Sequence, residues 1–126
     1  MKPNVLLVER LRPMWDPMEA IGFTPDLSQI EQVEPLLMFR ERRGPVYHRR
    51  RIRYFMDCLR RGQELEPINV DNFCEGGCIY PTPIVLDGNH RFIAVILMKQ
   101  ETIEADYGGR VDLLRYLEGK RRNPPL

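Results

Sequence analysis

The sequence contains few cysteines, and their spacing fits neither a disulfide framework nor a zinc site. Its 126 residues include three cysteines, Cys58, Cys74 and Cys78. An odd number with one isolated C-x3-C spacing supplies neither a set of paired bridges nor four tetrahedral ligands. We therefore expect reduced thiols, no metal site and a cytoplasmic protein.

Long apolar runs are also absent. No run approaches the roughly 20 residues that a membrane-spanning helix requires. The first residues, MKPNVLLVERLRP, place only four consecutive apolar side chains before Glu9, which is too short a core for a secretory signal. We expect no membrane partner.

An excess of charge of one sign is missing from the chain as a whole but not from its middle. Lys and Arg total 19 against 18 Asp and Glu. Residues 40–61 hold nine arginines and two acids, a local balance of 9 − 2 = +7, which leaves 10 − 16 = −6 for the rest. This segregation predicts one basic surface on an otherwise acidic molecule.

The length and composition are typical of one small globular domain. The chain is 43% hydrophobic and 29% charged, and 126 residues leave little room for a second independent core. We therefore treat residues 1–126 as a single domain.

The first third of the sequence predicts a strand, a loop and a short helix. Residues 5–8 are a β-type run, and proline and glycine punctuate residues 13–25, which predicts a loop with at most one helical turn. Ser28 and Glu31 have capping-box spacing and predict a helix capped by Ser28. Its apolar face comprises Ile30, Val33 and Leu37, and Pro35 shortens or kinks it.

The remainder alternates between helical and strand patterns. Apolar side chains at helical spacing predict a helix over 46–61, ended by Gly62; they are Ile52, Phe55, Met56 and Leu59. Strands are predicted over 67–73 and 78–86, joined by a turn at 75–77. Ile68, Val70 and Phe73 would share one face of the first strand, and Pro81 and Pro83 mark an edge or a bulge in the second.

The last residues predict a buried helix, a strand and a final helix. Residues 92–98 are apolar on every side, which predicts a buried helix that begins at or just before His90, and 102–107 have a strand pattern. Val111, Leu114 and Leu117 define the last helix, and residues 120–126 form a tail that we expect to fray. Together these elements predict an α+β (mixed α/β) fold in which three to four helices pack on a small mixed sheet.

The segment DGNHR lies between the second strand and the buried helix. The first N–H groups of a helix have no intrahelical partner, and the helix dipole adds positive charge there. Gly88 leaves room for close approach, and His90 and Arg91 add donors, so Gly88, Asn89, His90 and Arg91 suit a phosphate. The alternative is a simple capping turn, with Asn89 as the N-cap and the two basic side chains in solvent.

The stretch LDGNHRFIAVILMKQETI resembles the signature of the ParB/sulfiredoxin superfamily. LRRGQELEPINV and VDLLRYLEG are similar to segments before and after it in that superfamily. The resemblance covers residues 46–119 well and 5–17 weakly. Residues 18–45 have no counterpart.

The resemblance implies a nucleotide, ATP or CTP, whose phosphates are bound by Gly88, Asn89, His90 and Arg91, and Mg²⁺ could accompany it. Asn89 stands where sulfiredoxins have their catalytic cysteine, so a sulfiredoxin activity is not expected. If the protein is an enzyme, the resemblance implies a phosphotransferase or nucleoside-triphosphatase.

Catalytic groups are harder to assign from the sequence. Asp87 could act as a base or bind Mg²⁺ or a ribose hydroxyl, although its simpler role is to stabilise the turn. The branch of the superfamily with free serine kinase activity uses an early glutamate, for which Glu9 or Glu19 qualifies by position along the chain. His48, among arginines, is interpreted as a surface residue whose basic neighbours would lower its pKa.

The arginine-rich run has three interpretations. It could bind the backbone of DNA or RNA, as in a regulatory or accessory protein of a plasmid or phage; the candidate residues are Arg42, Arg43, Arg49, Arg50, Arg51 and Arg53. It could instead be a solvated helix face. Arg49 and Arg53, one turn apart, could also reach the nucleotide phosphates. A ParB-like nuclease is a further alternative, although no acidic cluster in the sequence supports it.

Overall fold

The computed structural model describes residues 2–35 and 44–126, which contain four strands and six helices. Three of the predicted positions, Leu37, Arg42 and Arg43, lie outside the described residues. In chain order the elements are β1 (Asn4–Leu7), α1 (Val8–Leu11), α2 (Pro17–Ile21), α3 (Leu27–Gln32), α4 (Gly44–Arg60), β2 (Ile68–Glu75), β3 (Cys78–Asp87), α5 (Asn89–Leu97), β4 (Thr102–Tyr107) and α6 (Val111–Leu117).

The predicted α+β class is confirmed. One sheet contains both parallel and antiparallel pairs. Three of the helices, α4, α5 and α6, have seven or more residues, and α1, α2 and α3 have four to six. No helix in the described ranges is long and apolar enough to cross a bilayer.

The chain forms two compact units. The first consists of Met1–Asp16, Glu66–Gly88 and Glu101–Leu126, and the second of Pro17–Leu65 and Asn89–Gln100. The first therefore contains all four strands, and the second contains α4 and α5.

The first unit is built on a sheet with the strand order β1-β4-β2-β3. β2 lies parallel to β4, and the outer pairs are antiparallel. On β2 the buried residues are Ile68, Val70 and Asn72, as the two-residue side-chain period of a strand requires. The prediction that Phe73 belongs to this face was wrong. Phe73 is 42% exposed and lies against Tyr80 of β3, because an odd-numbered position faces away from Ile68 and Val70.

The β2–β3 connection has the predicted hairpin form. Gly76 and Gly77 both have positive φ, 58° and 77°, which a two-residue turn between antiparallel strands favours. β3 is an edge strand, and its register with β2 shifts between Asn72 and Cys74. Pro81 and Pro83 are tolerated there because an edge strand needs fewer backbone donors.

Of the residues predicted to define the C-terminal helix, Leu117 is buried as expected, Val111 is not, and Leu113 was missed. Leu113 and Leu117 are fully buried, whereas Val111 is 67% exposed. Part of the tail that was predicted to fray is held in place, since the Arg10 guanidinium donates to the backbone oxygens of Tyr116 at 2.7 Å and Arg121 at 2.6 Å.

The second unit is helical. α4 has Pro45 in its first turn, where a missing N–H costs nothing, and Gly62 follows it with φ 73°. Its predicted apolar stripe packs against α3 and α5 around one core, which comprises Ile30, Ile52, Phe55, Met56, Ile93 and Ala94.

The prediction that Ser28 caps α3 was wrong. Asp26 is the N-cap, and its carboxylate accepts hydrogen bonds from the backbone N–H of Ser28 at 3.0 Å and from the Ser28 hydroxyl at 2.8 Å. Both residue types cap helices well. The helix therefore starts two residues earlier in the chain than the capping-box spacing indicated, and these bonds lower the pKa of Asp26.

Candidate functional site

The predicted strand–turn–helix arrangement of DGNHR is present in the chain. β3 ends at Asp87, Gly88 has φ 100°, and α5 begins at Asn89. A φ of 100° is readily adopted only by glycine. Within the second unit, the first turn of α5 therefore presents Asn89, His90 and Arg91.

The central feature of this helix end is a pair of histidines. His48 Nδ1, on α4, lies 2.8 Å from His90 Nε2, on α5. Both rings are half-buried. An N–H group of one ring donates to the lone pair of the other, so at least one of the two imidazoles is neutral.

The two rings lie edge to edge. Their planes differ by 25° and their centroids are 5.1 Å apart. A five-membered ring with bonds of about 1.33 Å places each atom about 1.1 Å from its centroid. Two such radii plus the nitrogen–nitrogen distance give about 5.1 Å, so the bond lies along the line that joins the ring centres. This in-line geometry is that of a well-aligned N–H···N hydrogen bond.

Aromatic side chains surround the pair. The Tyr47 ring meets the His90 ring edge-on, with centroids 5.4 Å apart and planes at 82°. Phe23 lies beside His48 at 5.7 Å, with planes at 24°. Burial lowers the pKa of His48 from its ordinary 6.5, because the charged ring loses solvation there. The surroundings therefore favour a neutral His48 near pH 7.

The interpretation of His48 as a surface residue was wrong. Its ring is half-buried and bonded to His90, and burial rather than neighbouring arginines lowers its pKa. One signal in the sequence pointed this way. His48 lies four residues before Ile52, so the apolar stripe of α4 extends to it at helical spacing.

The two arginines nearest to the pair in sequence are both largely enclosed. Arg91 is 8% exposed, and its guanidinium carbon is 6.0 Å from the Phe55 ring centroid, so its side chain is not in solvent as a simple capping turn would place it. Arg49 has its guanidinium carbon 5.7 Å from the Phe23 ring centroid. The Nε of Arg49 is buried and has no hydrogen-bond partner among the described residues.

Arg53, the second arginine predicted to reach phosphates, has other partners. Its Nε donates to both carboxylate oxygens of Asp57, at 3.0 and 3.1 Å. Its Nη1 donates to the backbone oxygens of Glu31 at 2.5 Å, Val33 at 3.3 Å and Ile30 at 3.4 Å. These carbonyls lie at the end of α3, where a helix leaves backbone oxygens with few intrahelical donors. Arg53 thus joins α3 to α4.

Other arginines of α4 also make contacts within the unit. The Nε of Arg50 donates to the backbone oxygen of Glu34 at 3.1 Å. The guanidinium of Arg51 lies over the Phe55 ring at 4.4 Å. Arg60 pairs with Asp57 and with the carboxylate of Glu31. The described arginines that were predicted to bind nucleic acid therefore make contacts that hold the helices together.

The two proposed catalytic carboxylates are not brought together. Glu9 follows β1, and Asp87 ends β3, and both are exposed. β1 and β3 are opposite edges of the sheet, so three strand spacings of about 4.8 Å separate them by about 14 Å. Glu19, the other glutamate considered, is exposed on α2 of the second unit. Over residues 2–35 and 44–126, no three His, Cys, Asp or Glu side chains are grouped to hold a metal ion.

Comparison with known proteins adds no assignment to this geometry. No family model, curated protein or solved structure matches the chain. The resemblance to the ParB/sulfiredoxin superfamily therefore stays a prediction.

Proposed function

We propose that the protein binds a nucleoside triphosphate, ATP or CTP, through its phosphates at the N-terminus of α5. The observation that carries the proposal is the position of His90, the second residue of this helix, whose ring is held by the 2.8 Å bond from His48. A ligand group fixed in advance loses less conformational entropy when it binds. The phosphates would lie against the N-terminal end of the helix and the imidazole together.

The charges of the first turn support an anionic ligand. The first turn of α5 contains His90 and Arg91 and no acidic residue. A carboxylate is the side chain that a helix N-terminus favours. Basic groups at this end oppose the dipole unless an anion lies beside them. The buried Nε of Arg49, which lacks a partner in the described chain, is a further donor in the same unit.

The predicted roles of neighbouring residues follow from this position. Gly88, with φ 100°, precedes the helix without a side chain that would hinder a phosphate. Mg²⁺, if it accompanies the nucleotide, would neutralise phosphate charge, and the reaction class would be phosphoryl transfer or hydrolysis. We leave Arg53 out of the proposed site, because its guanidinium is engaged by Asp57 and the end of α3.

Binding of DNA or RNA by α4 is the second candidate. Residues 44–61 contain six arginines and one aspartate, a charge that suits a phosphate backbone. The contacts of Arg50, Arg51, Arg53 and Arg60 within the unit give this candidate weaker support than the helix end. The nuclease alternative has the least support, since no metal-binding cluster appears in the described ranges.

Nucleotide binding is tested with a variant that adds one negative charge at the start of α5. Asn89→Asp changes one atom type, favours the helix dipole and repels phosphate. ATP, CTP, GTP and ADP with Mg²⁺ are titrated by calorimetry and by thermal shift. We expect ATP or CTP to bind the parent protein, and the variant to bind at least about tenfold more weakly, or about 1.4 kcal/mol.

The matched control is Asn123→Asp, which makes the same chemical change at an exposed position of the C-terminal tail in the first unit. It should leave the affinity unchanged. Equal binding by Asn89→Asp and the parent would contradict the proposal. Retention of DNA or RNA in a mobility assay across salt concentrations, without any nucleotide binding, would favour the second candidate.

A further inference from the structure

One face of the sheet in the first unit is exposed and acidic. Side chains alternate along a strand, so Asp71 and Phe73 point to the side of β2 opposite to its buried residues. Asn69 of β2 is level with Asp106 of β4 in the parallel pair, which places Glu104 on this side as well. We define the acidic sheet face by four exposed residues, Asp71, Phe73, Glu104 and Asp106. The four described strands contain no Lys or Arg.

The three carboxylates of this face repel one another. Glu104 and Asp106 are two residues apart on β4, a distance of about 7 Å, and Asp71 lies on the adjacent strand. Among the residues that the structure describes, no lysine or arginine forms an ion pair with any of them. Like charges at neighbouring positions of a sheet lower its stability. The acidic sheet face therefore suits a basic partner and disfavours nucleic acid or a nucleotide.

The same chain carries a basic surface of matching length on α4. Arg50 donates to a backbone oxygen, and Arg61 donates to the Gln63 amide oxygen; neither has a carboxylate partner within the described ranges. Eleven residues complete three turns of a helix to within about 20°, so these two side chains leave α4 on one side, about 16 Å apart. Val46, which is 58% exposed, lies one turn before Arg50 on that side. We define the basic stripe as Val46, Arg50 and Arg61.

We infer that the acidic sheet face of one molecule binds the basic stripe of a second copy of this protein. Glu104 and Asp71 are separated by four residue steps along the strands and one strand spacing across, about 14 Å, which is close to the length of the basic stripe between its two arginines. Phe73 lies about 7 Å beyond Asp71, as Val46 lies about 6 Å beyond Arg50. A partner α4 that runs antiparallel to β2 and β4 thus brings together three pairs: Arg61 with Glu104, Arg50 with Asp71, and Val46 with Phe73.

The other charges of the chain favour this association. Asp57, the acid on the same side of α4, is paired with Arg53 and Arg60, which neutralise its charge. The chain has a net charge of +1, although residues 40–61 hold 9 − 2 = +7 and the rest 10 − 16 = −6. A net charge near zero leaves little long-range repulsion between copies. Because the contact joins two different surfaces, it can repeat from copy to copy in a ring or an open chain.

The test removes the charge of each surface separately. One variant combines Asp71→Asn with Glu104→Gln, and the other combines Arg50→Gln with Arg61→Gln. Sedimentation velocity without nucleotide measures association from about 10 μM to about 1 mM protein. We expect the parent to associate at low salt and to dissociate when added salt screens the charges. Each variant should associate at least about tenfold more weakly.

Mixing the two variants shows whether the surfaces bind each other. The first variant keeps its basic stripe and the second keeps its acidic sheet face, so the mixture should form a dimer although neither variant does so alone. The acidic-face variant should also be no less stable than the parent in urea unfolding, because it loses repulsion. The control combines Glu19→Gln with Glu101→Gln, which removes two exposed acids outside the acidic sheet face, and should associate like the parent.

Three results would overturn the inference. The first is a parent that stays monomeric over the whole concentration range at low salt. The second is equal association of the parent and both variants, and the third is a mixture of variants that does not recover association. A monomeric parent that binds poly-lysine through the acidic sheet face would assign this face to a different basic partner. None of these results bears on the proposed function, because neither variant alters α5 and no nucleotide is present.

Discussion

The side-chain oxygen of Asn72 accepts the backbone N–H of Arg110 at 2.7 Å, across 38 residues of sequence. Asn72 is 4% exposed, and its amide also donates to the Tyr107 hydroxyl at 2.9 Å. That hydroxyl in turn donates to the Arg110 backbone oxygen at 2.8 Å. Burial raises the pKa of Tyr107, so the phenol stays neutral and able to donate. The network fixes the segment between β4 and α6 to the middle of the sheet.

Replacement of Asn72 by alanine should destabilise the first unit. The change leaves the half-buried Arg110 N–H without its acceptor, and a lost partner of this kind costs about 2 kcal/mol. Urea unfolding measures the difference. Asn69→Ala is the control, because Asn69 is exposed on the same strand. A loss no larger than that of the control would show that the network does not hold the loop.

Alanine at position 109 should be most costly when Asn72 is present. A Cβ at Gly109 would lie 2.6 Å from the Asn72 side chain, and the φ of Gly109 is 132°. Asn72 cannot move aside without breaking its bonds, so Gly109→Ala should cost at least about 2 kcal/mol. Gly108→Ala, which meets open space, should be close to neutral.

A double-mutant cycle separates the clash from the backbone strain. In an Asn72→Ala background the steric conflict is absent and only the cost of the positive φ remains. The penalty of Gly109→Ala should therefore be smaller there than in the parent. Equal penalties in the two backgrounds would assign the whole effect to backbone conformation.

Much of the fold was predictable because local patterns determine it. The two-residue period over Ile68 and Val70 and the helical stripe from Ile52 to Leu59 both correspond to buried faces. Gly62 and the Gly76–Gly77 turn also have the positive φ that their positions predicted. These features depend on residues close together in the sequence, where a pattern carries the information.

The features that escaped prediction depend on partners distant in the sequence. Nothing near Asn72 indicates that a polar residue is buried, because its partners lie 35 and 38 residues away. His48 and His90 are 42 residues apart, so their pairing emerges only when α4 packs on α5. The prediction of the α3 cap was wrong for another reason. Asp26 and Ser28 are both good caps and lie two positions apart.

Arg53 should act on stability and not on nucleotide affinity. Its bonds to Asp57 and to the last carbonyls of α3 tie two helices together, and its side chain is 22% exposed. Arg53→Lys keeps the charge but loses the planar group that bonds several acceptors. We expect a loss of about 1 to 2 kcal/mol in urea unfolding, with unchanged binding of ATP or CTP.

Arg50→Lys provides the control for this variant, because within residues 2–35 and 44–126 Arg50 makes one side-chain hydrogen bond, to the Glu34 carbonyl, and should lose less stability. A large drop in nucleotide affinity in Arg53→Lys, with stability retained, would instead restore Arg53 to the phosphate site that the sequence predicted.

The stability of the second unit should fall as the pH falls through the range where His48 titrates. The pKa of His48 is lowered from 6.5 in the folded protein, so the unfolded chain binds the proton more tightly. The free energy of unfolding is therefore unaffected by His48 above about pH 6.5. Below that value it falls progressively, because protonation favours the unfolded chain. Urea unfolding at about pH 7.5 and about pH 5.5 measures the difference, because carboxylates remain largely ionised over this interval.

His48→Asn isolates the contribution of this ring. The amide keeps a hydrogen bond to His90 and does not titrate, so the loss of stability between the two pH values should be smaller in the variant than in the parent. The double protonation of the pair acts in the same direction, because two N–H groups that face each other across 2.8 Å repel. A parent and a variant with the same pH dependence would mean that neither burial nor the His90 bond disfavours the charged form of His48.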